Sequence, residues 1–205
     1  MPKGFYRVPD IQFDLEKMQQ ALHEVDSRVA RQSPLGERDI NAICLTQIPG
    51  NPNSITGGNV RGLFWTKPDR TGVEVQRDDP IDEKKYSEFV KLFEDTYFKE
   101  IYDTLISRYQ LGRIRLLWKL PRTTLSWHRD PEPRLHIPIM TNPGAHMVIE
   151  EINHHMPADG SVWITNNTRY HNAFNGGEED RVHLVATVLD CDMSIFEESI
   201  SASAG

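Results

Sequence analysis

The chain has 205 residues, and its 23 Lys and Arg against 30 Asp and Glu give a formal net charge of −7. No apolar run approaches the ~18 residues of a membrane-spanning helix, and the first ten residues lack the apolar stretch of a secretory signal. The acidic balance argues against a nucleic-acid backbone as the main partner. Because Cys44 and Cys191 are the only cysteines, we expect free thiols in a reducing cytoplasm.

The first third of the chain predicts a helix, a strand and a long loop. Apolar residues spaced by three and four positions share one helical face: Leu15, Met18, Leu22, Val25 and Val29. Asp14 precedes them and is a suitable N-cap. Residues 40–47 are typical of a strand. Residues 49–62 are rich in Pro, Asn and Gly and predict a loop, for which a mobile lid and a plain linker both stay open.

A second and longer helix is predicted over about residues 80–111. Its large apolar residues recur at intervals of three or four: Tyr86, Phe89, Phe93, Tyr97, Ile101, Leu105 and Tyr109. Asp79 and Pro80 suit its start, and Gly112 suits its end. We expect this aromatic stripe to pack against a sheet rather than to bind a ligand.

After Gly112 the composition becomes that of short strands separated by Pro, Asn and Gly. The predicted strands are residues 114–120, 123–128, 134–140, 146–151, 161–165, 169–174 and 181–190. This pattern predicts a mainly β fold with flanking helices, either a sandwich or a barrel-like double sheet. We expect a single domain over residues 1–205, with a helical or mixed layer over 1–112, a β core over 113–190 and a tail over 191–205.

Histidine is concentrated in the β-rich part, where seven of the eight residues lie between positions 128 and 183. His128 and Asp130 are two positions apart, so on an extended segment their side chains point to the same side. His171 lies in another predicted strand and is the candidate third ligand. Two histidines and one carboxylate leave other metal positions open, which is the usual ligand set of non-haem Fe(II) oxygenases.

Arg181 follows His171 by ten residues and opens the last long strand. A buried guanidinium there would offer a fixed fork for a carboxylate, and a dicarboxylic co-substrate that chelates iron at one end needs such a partner at the other. A surface ion pair of Arg181 with Glu178 or Asp180 is the alternative.

These residues resemble the Fe(II)- and 2-oxoglutarate-dependent oxygenases and, within them, the aspartyl/asparaginyl β-hydroxylase-type family. The runs RLHIPI, HNAFN and DRVHL and the Pro143-Gly144 turn carry the resemblance, which covers about residues 113–190. It implies a double-stranded β-helix, also called a jelly roll or cupin-like fold. It also implies that His128, Asp130 and His171 hold the iron.

For the co-substrate, the resemblance implies that Arg181 pairs with the distal carboxylate of 2-oxoglutarate and that Arg134 and His136 lie near it. Leu117 stands where some members of the family place a serine on the co-substrate. Some β-hydroxylases of the family lack the carboxylate ligand, so the presence of Asp130 favours the branch that hydroxylates free amino acids such as proline. No catalytic residue is expected beyond the metal ligands.

The sequence therefore predicts a cytoplasmic hydroxylase that uses Fe(II), 2-oxoglutarate and O₂ and releases succinate and CO₂. A free amino acid, a peptide or protein side chain, and a small carboxylic metabolite all stay open as substrates, and the oligomeric state is open too. The alternative is a cupin-type metal-binding protein, or a metal-dependent isomerase or hydrolase, that uses no 2-oxoglutarate.

Overall fold

The computed structural model describes residues 2–31, 40–55, 63–66, 70–78 and 80–197. This part of the chain contains the helices α1 (Leu15–Arg28) and α2 (Tyr97–Ile106). Its strands are β1 (Phe5–Gln12), β2 (Ile40–Cys44), β3 (Thr46–Gln47), β4 (Phe64–Thr66), β5 (Glu74–Gln76), β6 (Glu88–Phe89), β7 (Leu111–Lys119), β8 (Thr123–Thr124), β9 (His128–Arg129), β10 (Arg134–Met140), β11 (Ala145–Ile149), β12 (Ile152–His154), β13 (Ser161–Thr165), β14 (His171–Asn175) and β15 (Arg181–Val188). None of the described helices has the length and apolar character needed to cross a membrane.

Most of the strands belong to two antiparallel sheets. The larger sheet has the order β1-β13-β10-β15-β7-β2, and the second has the order β12-β11-β14-β9-β4-β5 with β8 paired to β14. The sheets contact each other through a buried cluster in which Phe5 and Trp163 of the larger sheet meet Met147 and Ile149 of the second. This arrangement confirms the predicted double-stranded β-helix with flanking helices.

The three adjacent strands β10, β15 and β7 alternate between an apolar and a polar face. Their apolar residues form one core with both helices: Ile114, Leu116, Trp118, Leu135, Ile137, Ile139, Val182, Leu184 and Ala186. On the other face, Arg115 lies opposite Val185, Val185 opposite His136, and His136 opposite Trp163. Because Trp163 contacts the second sheet, this polar face is the one that lines the space between the sheets.

Helix α1 confirms the first predicted helix and its cap. The Asp14 carboxylate accepts a hydrogen bond from the backbone N–H of Lys17 at 3.1 Å, which satisfies one of the free donors of the first turn. The predicted apolar stripe faces the core, where Met18, Leu22 and Val25 are buried. The helix ends at Arg28, so Val29 is its C-cap rather than part of it.

The predicted helix over residues 80–111 is wrong in length, because the structure has only α2 in this range. Before it, Glu83–Lys85 and Lys91–Phe93 form 3-10 turns and strand β6 lies between them. Pairing with β3 and a hydrogen bond from Val90 N–H to the carbonyl of Leu45 at 2.9 Å hold residues 88–90 extended. Most of the large side chains are still buried, although Tyr97 and Tyr109 are only partly so. The spacing of the stripe therefore predicted burial largely correctly but the backbone conformation incorrectly. Asp79, the expected start, lies outside the described residues.

Gly112 does not end a helix but lies inside β7, where the backbone of Glu83 approaches closely. A Cβ at position 112 would lie 2.7 Å from the carbonyl oxygen of Glu83, so a side chain there would push that segment away. The role predicted for Gly112 is therefore wrong, although glycine is still the residue that fits.

Several strands were not expected from the sequence, namely β1, β4, β5 and β12. Two of the six strands in the larger sheet, β1 and β2, precede residue 113. In the predicted 49–62 loop, residues 52–54 form a 3-10 turn. Residues 56–62 of that loop, and residues 198–205 of the predicted tail, lie outside the described residues, so the lid stays a prediction.

Candidate metal centre

His128 and His171 are directly opposite each other on the neighbouring strands β9 and β14. Their ring centroids are 4.1 Å apart, and both side chains are buried. Asp130 follows His128 by two residues, and the candidate ligand atoms of all three residues lie within 4.8 Å of one another. Within the ranges that the structure describes, this is the only His, Cys, Asp or Glu cluster that could hold a metal ion.

Backbone carbonyls orient both imidazoles in the same way. The Nδ1–H of His128 donates to the carbonyl of Ser126 at 2.7 Å, and the Nδ1–H of His171 donates to the carbonyl of Arg169 at 3.0 Å. Each bond fixes the tautomer whose Nε2 is unprotonated, as a metal ligand requires. Burial, reinforced by His128, lowers the pKa of His171 to about 3, so this imidazole is neutral at physiological pH.

The Asp130 carboxylate is ionised although it is buried. Burial would raise its pKa, but the nearby positive charge of Arg134 outweighs burial and lowers the pKa to about 2. The Nε of Arg134 lies 3.2 Å from Oδ2 of Asp130, and its Nη1 donates to the hydroxyl of Thr187 at 2.7 Å. Arg134, expected beside the co-substrate, thus contacts a metal-ligand candidate directly.

Asn167 links the candidate ligands to the larger sheet. Its Nδ2 donates to Nε2 of His171 at 2.8 Å and lies 3.4 Å from Oδ2 of Asp130. Its Oδ1 accepts from the hydroxyl of Thr165 at 2.6 Å. No residue pattern in the sequence marked Asn167 as a neighbour of the metal ligands.

The donor set fits a divalent transition metal of the iron type. Two imidazole nitrogens and one carboxylate oxygen, all within 4.8 Å of one another, match the facial triad of non-haem Fe(II) sites. Neither His171 nor Asp130 must lose a proton at neutral pH to bind a cation. Strand β9, which carries His128, is held to β5 by the ion pair of Arg129 with Glu74, whose hydrogen bonds are 2.7 and 2.8 Å long.

Arg181 is buried on β15 and does not form the surface ion pair that was the alternative. Glu178 pairs with Arg122 at 2.7 Å, and Asp180 lies 3.7 Å from Arg31. Burial lowers the pKa of Arg181 to about 10, so the guanidinium is still charged at neutral pH. Its Nη2 donates to Nδ1 of His183 at 2.9 Å.

His136 and His183 lie beside Arg181 on the polar face of the larger sheet. Their rings meet edge to face with centroids 5.6 Å apart. Burial, and secondly the charge of Arg181, lowers the pKa of both histidines well below the usual value. Both ring nitrogens of His136 and Nε2 of His183 are buried without a hydrogen-bond partner among the described residues. Such unpaired neutral donors next to a buried cation favour an anionic ligand.

Sequence reasoning missed two charged residues on the same face, Arg113 and Arg115 of β7. Arg113 donates two 2.9 Å hydrogen bonds to the buried carboxylate of Glu83. Arg115 is 6% exposed, and its Nε and Nη1 have no hydrogen-bond partner in the described part of the chain. The signal was present, because charged residues alternate with core residues along β7 and mark a second buried face.

The aspartyl/asparaginyl β-hydroxylase family model matches residues 81–190, which is more than half of the chain. The chain belongs to this family. The match confirms the family prediction and, with it, the predicted enzyme class of a 2-oxoglutarate-dependent hydroxylase. A comparison with curated proteins found no match.

Solved structures similar to this β-hydroxylase-family protein support the fold. One is an oxidoreductase of the 2OG-Fe(II) oxygenase family from Burkholderia pseudomallei, with 15% identity, 90% of this chain and 83% of that chain covered, and a TM-score of 0.50. Another is HygX from Streptomyces hygroscopicus with nickel and 2-oxoglutarate bound, with 9% identity, 90% and 82% coverage, and a TM-score of 0.51. At these identities the likeness shows the shared fold alone.

Proposed function

We propose that this chain is an Fe(II)- and 2-oxoglutarate-dependent dioxygenase that hydroxylates an unactivated C–H bond of an amino acid or of a peptide or protein side chain. Succinate and CO₂ are the co-products. The observation that carries the proposal is the cross-strand pair of His128 and His171 with Asp130 beside it. This triad would hold a metal ion through three ligands and would leave its other positions for co-substrate and O₂.

His128, Asp130 and His171 would hold the metal, and Arg181 would bind the distal carboxylate of 2-oxoglutarate. When bound, iron and 2-oxoglutarate supply the O₂-activating oxidation chemistry. The residues of the chain bind and orient: backbone carbonyls fix the imidazoles, and Arg134 keeps Asp130 ionised.

The surroundings of Arg181 suit a carboxylate that must be bound in one orientation. His183 accepts from the guanidinium through Nδ1, so its own proton lies on Nε2, and His136 is a further neutral imidazole beside it. No carboxylate side chain of the described residues contacts Arg181, which leaves its charge for a ligand. Arg181, His136 and His183 are all buried, so the electrostatic attraction between the guanidinium and an anion is stronger here than at a surface.

The proposal is tested anaerobically by adding Fe(II) to the metal-free protein, then 2-oxoglutarate, and recording the visible charge-transfer band of the chelate. We expect the band in the wild type and in His23→Ala, whose side chain is exposed on α1. We expect no band in His171→Ala, which loses a ligand nitrogen. Iron bound by the wild type without any band on addition of 2-oxoglutarate would refute the dioxygenase and favour a cupin-type metal-binding protein.

A further inference from the structure

Arg115 is a buried cation whose neighbouring acids are already engaged. Arg113 takes both carboxylate oxygens of Glu83, and Arg134 lies on Asp130. Nε and Nη1 of Arg115 lack a hydrogen-bond partner among the described residues. Burial, and then the charge of Arg113, lowers the pKa of Arg115 to about 10, so it stays charged at neutral pH. A buried charge without a partner is costly, which indicates a missing anion.

The unpaired guanidinium lines a cavity that also reaches the candidate metal centre. The cavity has a volume of about 120 Å³, and Arg115, Asp130, Glu132 and Arg134 are among its walls. This is several times the space that one water molecule needs, so the cavity accepts a small organic ligand. A ligand bound here therefore lies next to Asp130, within reach of chemistry at the metal.

The anion expected at Arg115 is not the 2-oxoglutarate carboxylate that is assigned to Arg181. Arg115 is opposite Val185, and Arg181 lies four residues before Val185 on the same strand. At about 3.3 Å per residue, the two arginine positions are roughly 13 Å apart along the sheet. A 2-oxoglutarate that chelates the metal and extends to Arg181 leaves Arg115 for a second anionic ligand.

The same cavity offers a site for a cation. The carboxylate of Glu132 lines it and is only 23% exposed, and the nearest guanidinium nitrogen, Nη1 of Arg134, is 3.7 Å away. Arg134 is already committed to Asp130 and Thr187. Asp82 also lines the cavity, but its side chain is 51% exposed and it pairs with Lys85. A small cavity with an unpaired buried guanidinium and a largely buried, weakly paired carboxylate is complementary to a zwitterion.

We propose that Arg115 binds the α-carboxylate of the substrate, that Glu132 faces its ammonium group, and that the substrate is a free α-amino acid. This inference rests on the proposed dioxygenase function and selects among its substrate classes. A residue inside a peptide carries amides in place of both charges, so it would leave Arg115 buried and unpaired. Arg115 is a binding residue and takes no part in the oxidation itself.

The probes are the individual free L-amino acids and, for each, the α-amide and the N-acetyl derivative. With Fe(II) and 2-oxoglutarate present, succinate release measures turnover, and the anaerobic charge-transfer band reports binding without turnover. We expect the wild type to respond to at least one free amino acid and much less to its two derivatives. In Arg115→Met we expect kcat/KM for that amino acid to fall roughly 100-fold, as when a charged partner in a buried pair is lost.

Two further variants and the Kd for 2-oxoglutarate distinguish the possible outcomes. Arg115→Lys keeps the charge and should recover part of the loss, whereas Arg122→Met, which removes an exposed arginine paired with Glu178, should change nothing. The Kd for 2-oxoglutarate should be unchanged in Arg115→Met, which also shows that the variant is folded. A weakened 2-oxoglutarate Kd would assign Arg115 to the co-substrate, and equal turnover of amides or peptides would refute an amino-acid substrate. A band with no response to any free amino acid would refute this inference alone, while absence of the band would refute the dioxygenase.

Discussion

Each candidate ligand imidazole is oriented by the backbone carbonyl two residues before it, Ser126 for His128 and Arg169 for His171. The H-x-D spacing and the later histidine were sufficient to predict which side chains converge. The tautomers were not predictable, since every residue has a carbonyl and no residue type marks one that accepts such a bond. The same holds for Asn167, whose position depends on a turn between two strands rather than on its own spacing.

The buried pair of Arg113 and Glu83 yields a prediction about stability. Glu83→Gln removes the negative charge that pairs with Arg113, whose side chain has 0% exposure. We expect a loss of about 3–5 kcal/mol in the free energy of unfolding, measured by urea denaturation. Glu178→Gln, which breaks a pair whose side chains are 72% and 82% exposed, should change it by less than about 1 kcal/mol. Equal effects of the two variants would contradict a structural role for the buried pair.

The same pair predicts how stability depends on pH. Burial alone would raise the pKa of Glu83, but the neighbouring guanidinium groups, led by Arg113, lower it below the usual 4.5. A depressed carboxylate pKa stabilises the fold above the unfolded-state pKa, and this contribution is lost as the pH falls through the folded-state value. We expect the wild type to lose stability below about pH 4.5 more steeply than Glu83→Gln, in urea titrations at several pH values. Parallel profiles would show that Glu83 does not contribute.

At the scale of elements, short β-type runs bounded by Pro, Asn and Gly predicted the core strands. Strands β7, β10 and β15 were predicted from such runs. Apolar residues alternate with polar ones along these strands and place charged residues on the opposite face, a signal that the prediction did not use. The long helix failed because its aromatic stripe is equally compatible with buried 3-10 turns and a short strand. Pairing of Phe89 with Thr46 decides the backbone there, and this partner lies more than 40 residues away in the sequence.

The junction between β1 and β13 depends on one glycine. Gly160 has a φ of +84°, and a Cβ there would lie 1.9 Å from the carbonyl oxygen of Phe13. We expect Gly160→Ala to destabilise the protein by more than about 3 kcal/mol in thermal or urea unfolding, since strain and a clash with backbone add. Gly50→Ala is the matched control: Gly50 has a φ of +72° but nothing within 4 Å of its Cβ position, so only the conformational cost of about 1–2 kcal/mol remains. Similar losses of stability in both variants would mean that the positive φ accounts for the whole effect and that the contact with Phe13 does not contribute.

The whole molecule carries a net negative charge, whereas its candidate site is lined by positive charges. The chain carries a net charge of −7, yet the polar face of the larger sheet holds the buried arginines 113, 115, 134 and 181. Net charge predicted the absence of a nucleic-acid partner but gave no indication of a cationic interior. The cationic interior results from the pairing of β10, β15 and β7, which brings the arginines together. This pairing cannot be predicted from composition.

Because the interior of the site is cationic, we expect 2-oxoglutarate to stabilise the folded protein. We also expect the buried charge of Arg181 to destabilise the protein when no co-substrate is bound. In Arg181→Met we expect the metal-free protein to be at least as stable as the wild type, because a buried charge without a carboxylate partner is replaced by an apolar side chain of similar length.

With Fe(II) under anaerobic conditions, 2-oxoglutarate at about 100 times its Kd should stabilise the wild type by roughly 2.7 kcal/mol. At 2–4 °C per kcal/mol for a chain of this size, Tm rises by roughly 5–10 °C. The rise should vanish in Arg181→Met and persist in Arg122→Met. If Arg181→Met keeps the rise, the distal carboxylate is bound elsewhere; if it unfolds at a much lower temperature without ligand, the guanidinium is structural, and its buried charge is balanced within the protein itself.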